Sequence, residues 1–488
     1  MLSSSLYVDT LIQGATVYFE PGSEAQVVDV AISKDKIVAL GNCSHLQAQQ
    51  CIDATGLVLA PGFIDVHTHD DLEVLRGPHM LSKVSQGVTT VIAGNCGISA
   101  VPYCADQALL DPINLLGEQS EFAYRELQEY QHAFSNAAPS VNLAMLVGHT
   151  TLRAQVMTDL SQAANAQELE QMKTLLHQAM AQGAIGFSTG LAYYNAKGAS
   201  QAEVNALAEV VTPFDGIYTT HLRTEFQGVI RAMDEAFATA EHAKLPLVIS
   251  HIKCAGRENW GRAPEVLAHF EQHRETHPVS CDCYPYAASS STLDLNQVTE
   301  ETDIFITWSE SHPQLAQQSL ADIATQWQVS QREAAKRLQP AGAVYHCMLE
   351  DDVQRFLSYE HSMVGSDGLP CDPHPHPRLW GTFPRVLGHY CREQQSLPLA
   401  LAIYKMTALP AARFKLRQRG NIQIGYFADL VLFDPNRVLD QASYSNPKQL
   451  ASGIVKVWVN GKLSYVEGAN TDTIVDFGRA GRFLTRQN

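Results

Sequence analysis

Apolar and polar residues alternate in short runs over roughly the first 55 positions, the period of half-buried strands. The runs are "TLIQGATVYF", "VVDVAISKDKIVALG" and "CIDATGLVLAPG", cut by glycine and aspartate turns. The C-terminal stretch has the same rhythm in "GNIQIGYFADLVLFDP" and "IVKVWVNGKLSYVEG", where Asn460-Gly461 is a hairpin signal. Two β-rich ends around a middle of different character predict one small β-sandwich module built from both chain ends, residues 1–58 and 416–488.

Between them, short apolar or β-branched runs alternate with helical patterns, as parallel βα units do. The runs are "LVLAPGFIDV", "GVTTVIAGN", "VNLAMLVG", "GAIGFSTG", "GIYTT", "LPLVIS", "VSCDCYPY" and "SMVGSD". Helical candidates stand between them, among them Ala166 to Gln182 and Val229 to Lys244. Eight such units predict an α/β chain folded as a TIM-like (β/α)8 barrel over residues 59–415, with its site at the strand C-terminal ends. A long excursion, about 287–362, separates the last two strands and contains the helical piece "LADIATQWQVSQREAAKRL". Its length at the catalytic face predicts a lid.

Composition narrows the function. A chain that is 45% hydrophobic and 17% charged has material for a large core. A net charge of −17 with no basic stretch argues against nucleic acid or an anionic membrane as partner. The N-terminal "MLSSSLYVDTLIQG" lacks the basic and apolar regions of an export signal. No apolar run reaches the ~20 residues of a membrane span. Ten scattered cysteines without a C-x-x-C pair indicate reduced thiols, hence a cytoplasmic protein. Oligomeric state is not readable.

Two histidines stand one residue apart in "PGFIDVHTHDD", at His67 and His69. With 19 histidines in 488 residues, chance alone gives about 0.7 such triplets, and a second occurs at His374 and His376. Position carries the argument instead. His67 and His69 end the first predicted strand, Cys96 the second, His221 the fifth, His251 the sixth and Asp367 the eighth. A barrel brings those ends together, and imidazole, thiolate and carboxylate suit zinc. His374 and His376 lie among prolines with no strand before them, and read as incidental. Residues i and i+2 of a strand share a face, so Arg223 beside His221 and Lys253 beside His251 point towards the same place.

The segments "PGFIDVHTHDD", "GVTTVIAGNCG", "GFSTGLAY", "THLRTE", "SHIK", "CDCYPYAASS" and "VGSDG…HPHPRLWGTFPRVL" together resemble the N-acyl-D-amino-acid deacylase (D-aminoacylase) branch of the amidohydrolase superfamily. "MTALPAARFKLRQRGNIQIGYFADLVLFD" resembles the superfamily's exit from barrel to β module. The resemblance implies a tight zinc on Cys96, His221 and His251, and a second, weaker or vacant site involving His67, His69 and Asp367. Many relatives bridge two metals with a carboxylated lysine on the fourth strand; "GAIGFSTG" has none, consistent with Cys96 in the bridging place. It also implies Tyr193, Tyr284 and Arg378 as substrate contacts and the D form as substrate. Amide cleavage leaves an amine that needs a proton, and Asp367 is assigned that transfer. An N-acyl-D-amino acid carries a free carboxylate, which Arg223, Lys253 and Arg378 would meet.

Other readings compete. "GFSTG" matches G-x-S-x-G, which would make Ser188 a nucleophile, but no helical period follows it. A hydantoinase- or dihydroorotase-type cyclic-amide hydrolase usually keeps the fourth-strand lysine. A non-catalytic assembly protein on this scaffold typically shows lost ligands, and all are present. The stretch Ser289 to Gln297 holds no cation, which leans towards substrates with neutral side chains.

Overall fold

The computed structural model describes residues 7–486; the opening "MLSSSL", part of the stretch read for an export signal, lies outside them. Eight strands form one parallel sheet in strict sequential order: Phe63–Asp65 (β1), Val88–Ala93 (β2), Asn142–Gly148 (β3), Gly186–Gly190 (β4), Ile217–His221 (β5), Leu247–Ile249 (β6), Val279–Cys283 (β7) and Ser362–Val364 (β8). A parallel bridge from Thr68 to Gly368 joins the ends of β1 and β8 and closes the ring. Ile64, Ile92, Leu146, Ile217, Val248 and Met363, from strands around the ring, fill its interior. The helices Val229–Ala243 (α1) and Ala263–Arg274 (α2) follow β5 and β6 and bury Met233, Phe237, Val266 and Phe270. Among the described residues no helix is long and apolar enough to cross a membrane.

A second sheet takes strands from both ends of the chain, in the order Lys462–Val466, Ile454–Val459, Leu430–Phe433, Val58–Pro61, Tyr7–Val17, Gln26–Ser33, Lys36–Gly41. Its own core holds Ile12, Val30, Ile32, Leu59, Leu432 and Trp458. The run "LVLAPGFIDV", read as one barrel strand, is divided between the two sheets. Val58–Pro61 pairs antiparallel with Leu430–Phe433, and only Phe63–Asp65 enters the barrel. Pro61-Gly62 is where the chain passes from one sheet to the other.

The excursion after β7 contains a sheet of Ser289–Thr292, Ala341–His346, Asp303–Ser309 and Gln318–Ser319. It has a core separate from the barrel's, including Leu293, Ile306, Leu320, Ile323 and Tyr345. The expected single helical piece is two helices, Leu320–Trp327 and Gln331–Leu338. Gln328 in the left-handed region (φ 55°) ends the first, and the Ser330 side chain, accepting from the Glu333 N–H, caps the second. The last part of the excursion, helix Glu350–Ser358, packs against α2 and β8 as an ordinary barrel helix. The separately cored part of the excursion therefore ends near His346.

Candidate metal centre

The sequence just beyond each barrel strand explains why the ligand side chains meet. A buried polar girdle ties the ends of β1 and β8 together. The Asp367 N–H donates to the His67 carbonyl (2.8 Å), and Asp65 accepts from the Ser366 N–H (2.8 Å) and from Lys83 Nζ (2.8 Å). After β2 the chain makes a tight turn in which Cys96 adopts φ 53°. The Ser188 hydroxyl of β4 holds that turn from both sides, accepting from the Gly97 N–H and donating to the Gly94 carbonyl. Fully buried and committed to the turn, Ser188 is not presented as a nucleophile. His251 (φ 34°) and Asp367 (φ 49°) are also left-handed. Non-glycine residues held in that region gather at functional sites.

Six donors form two groups that share Cys96: His67, His69, Cys96 and Asp367, and Cys96, His221 and His251. Cys96 Sγ lies 3.4 Å from His251 Nε2, 3.8 Å from His221 Nδ1 and 3.1 Å from His67 Nε2. Asp367 Oδ1 lies 3.2 Å from His69 Nε2 and 3.5 Å from His67 Nε2. Around a tetrahedral zinc, sulfur and nitrogen ligands stand about 3.5 Å apart, given bonds of ~2.3 and ~2.0 Å. The second group already has that spacing, and its donors are the zinc-preferring types. The residues fit the metal.

The charges of the group depend on one another. Burial would raise the Cys96 thiol, but His67, His251 and His221 beside it hold it well below the ordinary thiol range. Burial equally opposes the Asp367 carboxylate, and Arg378, His67 and His69 outweigh it, leaving it well below its usual value. His69 is pushed up to about 9: burial disfavours its charge, while Asp367 and Cys96 favour it. Protons here balance a thiolate and a carboxylate, the task a divalent cation performs when it displaces them.

Two carboxylates missed in the sequence orient this group. Glu225 Oε1 lies 2.8 Å from His251 Nδ1 and 2.5 Å from Lys253 Nζ. Asp282 of β7 lies 3.3 Å from His67 Nδ1 and accepts from the His251 N–H at 2.8 Å. Carboxylates behind ligating histidines fix ring orientation. A signal was available: Asp282 is the only charged residue in the wholly buried strand β7, and Glu225 lies four residues beyond His221. His374 and His376 join neither group; His374 Nε2 bonds the Tyr444 carbonyl, and the His376 ring packs against Tyr286 and Tyr444.

The donors open into a cavity of about 810 Å³ between the barrel and the excursion after β7. Its wall includes His69, His221, His251 and Asp367, with Tyr193, Arg223, Lys253 and Tyr284 of the expected substrate contacts. A hollow of about 900 Å³ on the side where β4 begins, around Lys415 and Arg486, touches none of these residues. Arg223 is not a free cation: its guanidinium pairs with Glu235 (2.7 Å) and donates to the Lys197 carbonyl. β5 ends at His221, so the shared strand face expected for the pair does not extend to Arg223. Arg378 lies behind the wall, 1% exposed, with Nη2 on Asp367 Oδ2 (2.9 Å) and its guanidinium over the Tyr284 ring. Its Nε and Nη1, and the Tyr284 hydroxyl, have no partner among the described residues. Ser289–Gln297 lines the cavity, but so do Lys197 from the barrel and Arg332 from further along the excursion. Cations therefore reach the cavity that the stretch Ser289–Gln297 alone did not show.

Residues 50–465 match the model of an amidohydrolase family. A D-aminoacylase of Alcaligenes xylosoxydans xylosoxydans is 43% identical over 484 residues, 99% of each chain. A solved D-aminoacylase structure superposes with a TM-score of 0.95 at 43% identity, covering 98% of this chain and all of that one. An N-acyl-D-glutamate deacylase of Bordetella bronchiseptica, solved with zinc and a phosphonate mimic of the tetrahedral intermediate, superposes at 0.93 with 40% identity, covering 98% and 100%. With its donors and barrel arranged as described, the chain belongs to the amidohydrolase family, in the branch of the D-aminoacylases.

Proposed function

We propose that this enzyme hydrolyses the amide bond of N-acyl-D-amino acids, releasing a carboxylate and a free D-amino acid, with zinc as its metal. The observation that carries the reading is the pair of donor groups sharing Cys96 at the floor of a cavity that unpartnered, carboxylate-binding donors adjoin. Cys96, His221 and His251 would hold the tighter zinc, and His67, His69 and Asp367 a second, weaker one. The metal supplies a Lewis acid for the amide carbonyl and lowers the pKa of water. Asp367, held ionised by Arg378 and the imidazoles, takes a proton from water and delivers it to the leaving amine. Lys253, Tyr284 and Arg378 orient the substrate carboxylate, Arg378 through the Nε and Nη1 protons that have no acceptor among the described residues. Tyr193, whose ring lies 4.9 Å from that of His221, walls the acyl side. Arg223, engaged with Glu235, shapes the wall and leaves the carboxylate to the other cations. All ten cysteines are free, which supports a cytoplasmic, reducing location.

A panel of N-acetyl-D- and L-amino acids, assayed with metal analysis, tests substrate class. Amidating the α-carboxyl of N-acetyl-D-leucine should lower kcat/KM at least ~10²-fold, because charged hydrogen bonds contribute ~1.5–3 kcal/mol each. Arg378→Ala should largely erase the difference between acid and amide. Equal wild-type rates on both would remove N-acyl amino acids as the substrate class.

A further inference from the structure

On the outer faces of α1 and α2, apart from the barrel centre, a second set of metal-competent side chains converges. Asp234 and Glu241 stand two turns apart on α1; His269 and His273 stand one turn apart on α2. Asp234 Oδ1 lies 2.8 Å from His269 Nε2 and 4.0 Å from His273 Nε2. The three donor atoms all fall within 4.8 Å of one another. Nitrogen and oxygen ligands of a tetrahedral first-row ion stand about 3.3 Å apart at bonds of ~2.0 Å. The two Asp234 pairs, at 2.8 and 4.0 Å, each stand within an ångström of that spacing.

The rest of the cluster has the build of a metal site. Glu241 Oε1 lies 3.8 Å from Nδ1 of His273, the ring nitrogen that does not face Asp234. A carboxylate on the far nitrogen fixes the tautomer and orientation of a ligating histidine. Phe237, between Asp234 and Glu241 on α1, stacks on the His273 ring at 3.9 Å and 19° and fixes its plane. The side chains of His269, His273 and Asp234 are 22%, 30% and 54% exposed, so an ion has an entry path and room for water as remaining ligand.

We propose that Asp234, His269 and His273 form a surface site for a divalent transition-metal ion of the zinc type, with Glu241 orienting His273. Two imidazoles select such ions over magnesium or calcium. A bound ion ties α1 to α2, the helices that follow β5 and β6, whose C-terminal ends lead to His221 and His251, and so stabilises the fold by linkage.

The test uses full-length enzyme with its barrel metal loaded, equilibrated with ZnCl2 and followed by metal analysis and calorimetric melting. Wild type should bind one equivalent more than His269→Ala or His273→Ala, and only its Tm should rise as the site fills. Glu241→Gln should keep the equivalent but weaken it about 10-fold. Both alanine variants should turn over at the wild-type rate when barrel zinc is matched. His269→Gln, which keeps bulk at that position, replaces His269→Ala if the alanine variant misfolds. MgCl2 should produce no such differences. Equal zinc stoichiometry and equal melting response in wild type and variants would overturn the proposal.

Discussion

Glu225→Gln isolates what the carboxylate behind the candidate metal donors contributes. The residue is nearly isosteric, and its side chain is only 12% exposed. Its carboxylate lies 2.8 Å from His251 Nδ1, 2.5 Å from Lys253 Nζ and 3.9 Å from His221 Nε2. Burial opposes ionisation, but Lys253, His221 and His251 together hold the group well below the usual carboxylate range. The charge is therefore present and faces both histidines of the three-donor group. A hydrogen bond to a charged group contributes about 1.5–3 kcal/mol, or roughly 10- to 150-fold in an equilibrium constant. Loss of such an outer partner typically costs about 10–100-fold in metal affinity. The two routes agree, and the expected loss of zinc affinity is ~10–100-fold. Competition against a chelator of known affinity measures it, with kcat and KM recorded at saturating zinc. Because the carboxylate acts through the metal ligands, excess zinc should restore much of the activity. Zinc affinity within twofold of wild type would refute the reasoning, and Glu225 would then be a partner of Lys253 alone.

Cys96→Ala removes the donor common to both groups, and should lower bound zinc and abolish turnover while circular dichroism shows the fold retained; normal zinc and turnover would make the thiol mere packing. Asp367→Asn should reduce kcat by at least ~10²-fold with the tighter zinc kept, measured by steady-state kinetics and metal analysis. Away from the site, burial opposes the Glu203 carboxylate, but its hydrogen bond to His149 and the nearby Arg153 bring it down to about 2. A folded-state value depressed below an unfolded value of about 4.3 contributes stability above that pH and loses it as pH falls through about 2. The stability of wild type relative to Glu203→Gln should thus fall by roughly 2–3 kcal/mol between pH 5 and 2, at ~1.4 kcal/mol per unit, in denaturant titrations.

Much of the centre was legible because a barrel makes strand ends equivalent. Once eight apolar runs are in register, His67, Cys96, His221, His251 and Asp367 must face one another, whatever lies between them in sequence. The runs were also the easiest elements to see, since parallel strands are buried on both faces. What stayed hidden depends on side-chain direction rather than position. The i, i+2 rule nominated Arg223 and Lys253 equally, but the chain leaves β5 at His221, and Arg223 turns to Glu235. Arg378 could be named, but its place behind Asp367 could not. Similarly, Pro61-Gly62 divides one apolar run between two sheets, because Val58–Pro61 finds a partner from the far end of the chain. No local pattern encodes that pairing.

The absence of a lysine from β4 has a geometric cause that goes with the presence of Cys96. The turn carrying the cysteine sits directly over the ends of β3 and β4. A Cβ at Gly190 would lie 2.1 Å from the Cys96 carbonyl oxygen, and one at Gly148 would lie 2.5 Å from the Gly97 carbonyl oxygen. Contacts that short are not tolerated by backbone, so both strands must end in glycine for the turn to come down. The Thr150 N–H donates to the Gly97 carbonyl at 2.7 Å, and Ser188 bonds the turn at Gly94 and Gly97. These hydrogen bonds to Gly94 and Gly97, the residues flanking the Cys96 turn, thus come from β4 and from just after β3. A long side chain rising from Ser188 or Gly190 would have to occupy the volume that the turn fills. A long side chain reaching up from β4 and a turn from β2 reaching across it are therefore alternatives in space. Small residues on β3 and β4 commit this barrel to the turn.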